Sequence, residues 1–336
     1  MSQITPVLTD PGPVADPSGD SGGRPRGGVG ARVYGLLRAI PASLLWVIVV
    51  IWSLPTFGLL LSSFRSRDDQ RASGWWKVFR LRFWESTDDL TLENYRTVLT
   101  ASGTSPFRDS LFNSFAIAIP ATIIPIAIAS FAAYAFAWID FKGRKWMFIG
   151  TVSLLAIPLQ VALIPLLQLF VGGAHVTLPF IHKTVTLIPD FDLAGTTTAV
   201  WLTHAGFALP FAIFLLHNYI SGLPKDLFEA ARIDGADHFT VFWRIVLPLS
   251  VPVLAAFGIF QFLWTWNDYL IANTMAGSNL DSVPTTIRVA NLAGDFGRNE
   301  FLLPAAAFTQ AVVPIIVFFA LQRYFVRGLL AGSVKG

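Results

Sequence analysis

The chain has 336 residues, a formal net charge of +3, no cysteine, 54% hydrophobic residues and only 13% charged residues. With a mean hydropathy of +0.58, it carries more apolar surface than a soluble domain of this length can hide, so the bilayer is its expected solvent. Disulfides and thiolate metal sites are excluded outright.

Residues 1–32 are rich in proline, glycine and serine and lack the apolar core of a cleavable signal peptide, so they are expected to be a disordered cytoplasmic tail. Six apolar runs follow, each long enough to cross a bilayer at roughly 20 residues per crossing helix. They extend from Leu36 to Phe64, Leu111 to Ile139, Trp146 to Val171, Thr198 to Ile220, Leu247 to Met275 and Leu303 to Phe325. This divides the chain into a first membrane helix at 33–64, an extracytoplasmic loop at 65–109, a membrane core at 110–325 and a cytoplasmic tail at 326–336. Each run contains proline, namely Pro41, Pro120, Pro158, Pro210, Pro252 and Pro314. Kinks are expected, with the freed carbonyls satisfied inside the bundle. The predicted fold class is all-α integral membrane, with six spans.

Basic residues are retained preferentially on the cytoplasmic side. With both termini inside, the inner segments hold Arg24, Arg26, Arg32 and Arg38, then Lys142, Arg144 and Lys145, then Lys225, Arg232 and Arg244, and finally Arg323, Arg327 and Lys335. The two later outer loops hold only Lys183, Arg288 and Arg298. The first outer loop breaks this pattern with Arg65, Arg67, Arg71, Lys77, Arg80, Arg82, Arg96 and Arg108. It also carries a basic aromatic segment, Gly74 to Trp84, suited to the membrane interface.

Between the fourth and fifth runs lies a charged hairpin, residues 223–248. Pro224 fits the first turn of a helix, Asp226 complements its dipole, and Gly235 fits the left-handed position that follows it. Leu227, Phe228 and Ala231 can share one side while Lys225, Glu229 and Arg232 face away. Asp237 can cap a second helix on which Phe239, Phe242, Trp243 and Val246 recur at helical spacing. An amphipathic connector lying on the membrane surface would show the same pattern.

No phosphate-binding GxxxxGK[ST] loop is present, and His175, His182, His204, His217 and His238 are scattered without metal spacing. The chain is therefore not expected to be an enzyme, to hold a metal or cofactor, or to bind nucleic acid. The apolar runs do contain Asn113, Gln160, Gln168, His204, Gln261, Thr265, Asn267 and Gln310, which are expected to face one another or a water-filled path. Trp264, Asn267 and Asp268 combine an aromatic face with hydrogen-bonding groups, as a sugar requires. Aromatics at a helix end also form interfacial belts. Asn113, Gln160, Gln261, Trp264, Asn267 and Asp268 are the candidate solute path.

Glu229-Ala230-Ala231, then Asp234-Gly235-Ala236, then Ile245 with Leu247-Pro248, resembles the EAA loop of binding-protein-dependent ABC importers. Ala132 to Trp138 with Phe141-Lys142-Gly143-Arg144 is similar to a segment of sugar permeases in this group, with Trp138 in place of their usual basic residue. The segment Leu321 to Gly336 resembles the terminus of MalG-type subunits of maltose importers, and Ser62 to Trp76 resembles the opening of α-glucoside permeases. The resemblance covers most of residues 36–336. It implies a type I importer permease whose coupling residues are Glu229, Ala230, Ala231, Asp234, Gly235 and Ala236, and whose tail, Gly332, Ser333, Val334, Lys335 and Gly336, contacts the ATPase. The implied partners are a homologous second permease subunit, two ATPase subunits that bind ATP and Mg, and an extracytoplasmic solute-binding protein. The implied cargo is a sugar, most simply an α-glucoside or oligosaccharide. An ABC permease for a non-sugar solute and a secondary carrier are the alternatives, although a carrier would need inverted repeats or midplane acids.

Overall fold

The computed structural model describes residues 42–79, 90–100, 107–178, 183–277, 279, 281–294 and 299–333. The chain divides into two units, residues 1–57 and 58–336. In the first, the described residues form most of helix α1 (Ala42–Ser63). Ser53 does not present a bare hydroxyl there, because its Oγ donates back to the Val49 carbonyl at 2.7 Å.

The second unit opens with a compact knot after α1. Arg65 is buried, and its guanidinium donates to the carbonyls of Asp69 and Ser73 at 2.8 and 2.9 Å and to the Ser73 hydroxyl at 2.6 Å. These bonds close the loop around the short helix α2 (Arg67–Ala72). The Asn94 amide, on helix α3 (Glu93–Thr100), donates to the carbonyls of Ser63 and Arg65. Gln70 donates to the Phe301 carbonyl, and the Arg67 guanidinium lies 5.1 Å from the Phe301 ring centroid. Arg65 and Arg67 thus serve local folding.

The core is built on helix α4 (Phe107–Trp138) packed along helix α7 (Thr197–Ile220). Ala121, Ala129, Ala133, Ala199, Ala208 and Ala212 are all buried, and such small side chains let helix backbones approach closely in a membrane bundle. Helix α10 (Leu247–Asn267) packs against α4, α7 and the last helix, named α13 below (Leu303–Ser333).

Proline explains two of the buried polar groups on α10. Pro125 has no N–H to give the Ala121 carbonyl, and the buried Gln261 amide donates to that oxygen at 3.2 Å. Pro314 likewise leaves the Gln310 carbonyl, which accepts from the buried Trp266 indole N–H at 3.2 Å. In both cases a neighbouring helix supplies the donor that the proline-bearing helix lacks.

Among the described residues five helices are long and apolar enough to cross a membrane, and a sixth span results if one bent pair is counted. That pair is the third apolar run. Instead of one helix it forms α5 (Arg144–Ser153), a 3-10 turn at Leu154–Ala156, and α6 (Leu159–Gly172), with a bend of 102°. Ile157 is extended, with φ −78° and ψ 116°, as expected of a residue before proline. An unanticipated antiparallel hairpin follows, β1 (Ala174–Leu178) with β2 (Lys183–Ile188). All other repetitive structure among the described residues is helical, in agreement with the expected class.

The fifth run also departs from a single helix. α10 stops at Asn267, and α11 (Leu270–Ala276) starts after a break at Asp268. Helix α12 (Thr285–Gly294) lies in the segment between α11 and the last helix. The last helix runs to Ser333, eight residues beyond the expected end at Phe325, so Gly332 and Ser333 are helical. Val334, Lys335 and Gly336 lie outside the described residues. Val98, Phe107, Leu302, Ala305 and Ala306 form one buried cluster, so segments 65–109 and 276–302 share the Phe107 end of α4. The 223–248 hairpin packs at its Trp138 end.

Candidate functional site

Helix α8 (Lys225–Ile233) starts after Pro224, which occupies the cap position just outside the first turn. Its end is a Schellman motif: the Ala236 N–H reaches the Ala231 carbonyl at 2.9 Å, and the Gly235 N–H reaches the Arg232 carbonyl at 3.1 Å. Gly235 has φ +75°, where a Cβ is strained, so glycine is needed here. Asp237 accepts from the Thr240 N–H at 2.9 Å and caps α9 (His238–Val241). Hydrogen bonds from the Thr240 hydroxyl and amide hold its carboxyl below the usual carboxylate range.

The hairpin presents two kinds of surface. Phe228, Ala231, Phe242 and Val246 are buried against the bundle, whereas Glu229, Ala230, Arg232, Ile233, Asp234 and Gly235 are exposed. Leu227 was expected inside with Phe228 but is 40% exposed. Phe239 and Trp243 are also exposed, unlike Phe242 and Val246. Residues four apart share a face, so 239 with 243 and 242 with 246 form two stripes instead of one. A π-helical stretch, Phe242–Val246, carries three of these four residues and leads into the regular α10. The resulting outer face combines charge with the 87%-exposed Ile233, more apolar area than a solvated connector requires.

The inner side is held by aromatic residues of α4. Trp138 stacks on Phe228 with ring centroids 3.7 Å apart and planes 16° from parallel. The Tyr134 hydroxyl lies 2.9 Å from His238 Nδ1, and Phe131 stacks on Phe242 at 4.4 Å. A cavity of about 570 Å3 beside this contact is lined in part by Tyr134, Trp138, Asp140, Glu229, Arg232 and His238.

The candidate solute-path residues do not converge on one chamber. Asn113 donates to the carbonyls of Asp281 and Val283 at 2.7 and 3.2 Å, and so pins the segment before α12 to α4. Beside it the Ser114 and Thr285 hydroxyls are 3.0 Å apart, and Arg288 Nε donates to Ser110. Gln261 serves the carbonyl freed by Pro125. Gln160 and Asn267 are exposed, and the Asn267 amide donates back to the Leu263 carbonyl. Trp264 lines an apolar cleft of about 690 Å3 with Leu159, Phe170, Thr203, Phe207 and Pro210.

Asp268 is a structural hub. Its carboxylate accepts the N–H groups of Ile271 and Ala272 at 2.9 and 3.1 Å, capping α11, and its carbonyl accepts from the Thr286 hydroxyl at 2.8 Å. The same Oδ2 lies 3.4 Å from Nε2 of the fully buried His204, without hydrogen-bond geometry. Trp264 closes over His204 edge-on at 5.2 Å. Among the described residues no cluster of His, Cys, Asp and Glu could hold a metal.

Residues 125–330 match the family model described as the binding-protein-dependent transport system inner membrane component. The chain belongs to that family. This makes it a multi-pass inner-membrane ABC permease, a non-catalytic component of a binding-protein-dependent transporter. The permease is 48% identical over 290 residues to the osmoprotective compounds uptake permease protein GgtD of Synechocystis sp., covering 86% of this chain and 89% of the relative. It is 50% identical over 276 residues to the alpha-glucoside transport system permease protein AglG of Rhizobium meliloti, covering 82% and 68%. Its fold is similar to a chain in the crystal structure of a bacterial ABC transporter involved in import of the acidic polysaccharide alginate, with a TM-score of 0.62, 18% identity, and coverage of 90% and 100%.

Two features of the permease escaped the sequence. Trp138 was visible only as a departure from the resembled segment, and its ring partner Phe228 lies 90 positions away. His204 and Asp268 were noted separately as polar groups, without any local signal that they meet.

Proposed function

We propose that this permease forms half of the translocation pathway of an ATP-driven sugar importer and receives its ATPase subunit on the outer face of the 223–248 hairpin. The observation that carries this is the split of the hairpin into an anchored side and an exposed side. Phe228 and Ala231 hold it to the bundle while Glu229, Ala230, Asp234, Gly235 and Ile233 stand free for a partner. Ala236 completes the turn that orients them. A homologous second permease subunit, two ATPase subunits and an extracytoplasmic binding protein complete the assembly, with both termini of this chain cytoplasmic and residues 332–336 near the ATPase. Nucleotide-driven closure of the ATPases displaces the hairpin, and the bundle exchanges inward-facing for outward-facing access. The free surfaces of Trp264 and Asn267 make them the path residues best placed to meet a solute.

Gly235→Pro tests the docking. Proline cannot adopt φ +75° and removes the N–H bonded to Arg232, so co-purification of the ATPase with the permease and uptake should both be lost, and Glu229→Lys should weaken both. Unchanged assembly and uptake in the two variants would show that the hairpin is not the docking surface.

The cargo supported best is an α-glucoside, from the 50% identity to the alpha-glucoside permease. A second reading, uptake of an osmoprotective compound, is favoured by the 48% identity to the Synechocystis relative. Calorimetry of the cognate binding protein against α-glucosides and non-sugar osmolytes separates them. Binding only the osmolytes would defeat the sugar assignment.

A further inference from the structure

Helix α8 touches the bundle through very little. Of its nine residues only Phe228 and Ala231 are buried, and alanine offers one methyl group. Its other large apolar side chains, Leu227 and Ile233, are 40% and 87% exposed. The grip of this helix on the membrane core therefore passes through one ring pair, Phe228 on Trp138.

Trp138 is held from a second direction. Its indole N–H donates at 3.1 Å to the carbonyl of Ile220, the last residue of α7. That same oxygen accepts the N–H of Leu223 at 3.2 Å, in the turn that leads into α8. One side chain of α4 is thus stacked on the hairpin and bonded to the end of α7. One helical turn earlier, Tyr134 meets His238 on the other side of the Gly235 turn.

We propose that Trp138 is the positioning residue that makes the hairpin move as one body with α4 and α7, so that displacement imposed at the cytoplasmic face is passed into the spans. This rests on the hairpin being the ATPase-docking surface. Without the indole, α8 keeps its own fold, because its Schellman end and its carbonyl ladder are internal. It loses its large contact with α4 and becomes free to swing about Pro224.

The absence of native cysteine makes the test clean. Spin labels are placed at Arg232 on the hairpin and Ile123 on α4, both exposed, in the assembled complex in nanodiscs. Their distance is measured by pulsed electron resonance without nucleotide and after trapping with ATP and vanadate. In the native background the expected result is one distance population that does not shift between the two states. In Trp138→Ala a shifted or second population should appear on trapping, and uptake per ATP hydrolysed should fall about fivefold or more. Trp138→Phe, which keeps the stacked ring and loses only the N–H, should restore most of both. A single unshifted distance in Trp138→Ala would overturn the proposal. So would loss of ATPase co-purification in both Trp138→Ala and Trp138→Phe, because Trp138 would then govern docking instead of transmission. Failure of the docking surface itself is read separately, from co-purification in Gly235→Pro.

Discussion

Asp268 joins three elements through one side chain and one carbonyl. Its carboxylate caps α11, its backbone oxygen holds Thr286 of α12, and its Oδ2 lies 3.4 Å from Nε2 of His204 on α7. Replacing an N-cap aspartate by alanine costs about 0.5–2 kcal/mol, and at this site it also removes the carboxylate 3.4 Å from the buried His204 imidazole. Asp268→Ala should therefore lower the unfolding temperature of the detergent-solubilised permease. Asp268→Asn retains an oxygen for the amides of Ile271 and Ala272 and should lose distinctly less. Equal losses in the two variants would show that the cap contributes little and that charge beside His204 dominates. Trp264 and Asp268 were grouped in the sequence as a sugar-type cluster, and Asp268 is occupied instead with holding the break between α10 and α11.

Elements end where backbone chemistry requires it, and the clearest case is the β1–β2 hairpin. Gly173 has φ +66° and ψ −161°, a region that only glycine enters without a cost of about 1–3 kcal/mol. An ideal Cβ there would fall 2.4 Å from the Ile188 carbonyl oxygen. Gly173→Ala should accordingly detach the hairpin without unfolding the spans, read as faster amide exchange across residues 174–178 and 183–188 with α4 and α7 unchanged. Undiminished protection in the strands would refute the steric account. The runs His175-Val176-Thr177 and Thr184-Val185-Thr186 do carry β-branched residues, but they adjoin an apolar helix and were absorbed into an outer loop. The 102° bend between α5 and α6 was half legible. Pro158 announced a kink, whereas its size depends on how Leu163 and Phe170 pack beneath the bend.

At the scale of the molecule, spans and local caps were legible and long-range partners were not. Apolar run length is imposed by bilayer thickness, so the first, second, fourth and sixth spans can be located without contacts. Gly235 and Asp237 act within a few residues of themselves, and both sit in the conformations their chemistry predicts. Buried polar groups are different, because their partners are set by packing. Gln261 and Asn113 were assigned to a solute path, yet Gln261 bonds α4 across 140 positions and Asn113 bonds the segment before α12 across 168. Two arginines of the charged segment 65–109 likewise have partners set by packing: Arg65 donates to carbonyls and Arg67 lies over the Phe301 ring.

The two prolines braced from α10 tie together positions that look unrelated in a sequence. Gln261 answers the carbonyl freed by Pro125, and Trp266 answers the one freed by Pro314. A substitution that restores the amide at 125 makes the Gln261 donor redundant, and one that removes Gln261 makes Pro125 costly. The four residues therefore form two epistatic pairs, each free to change only as a unit.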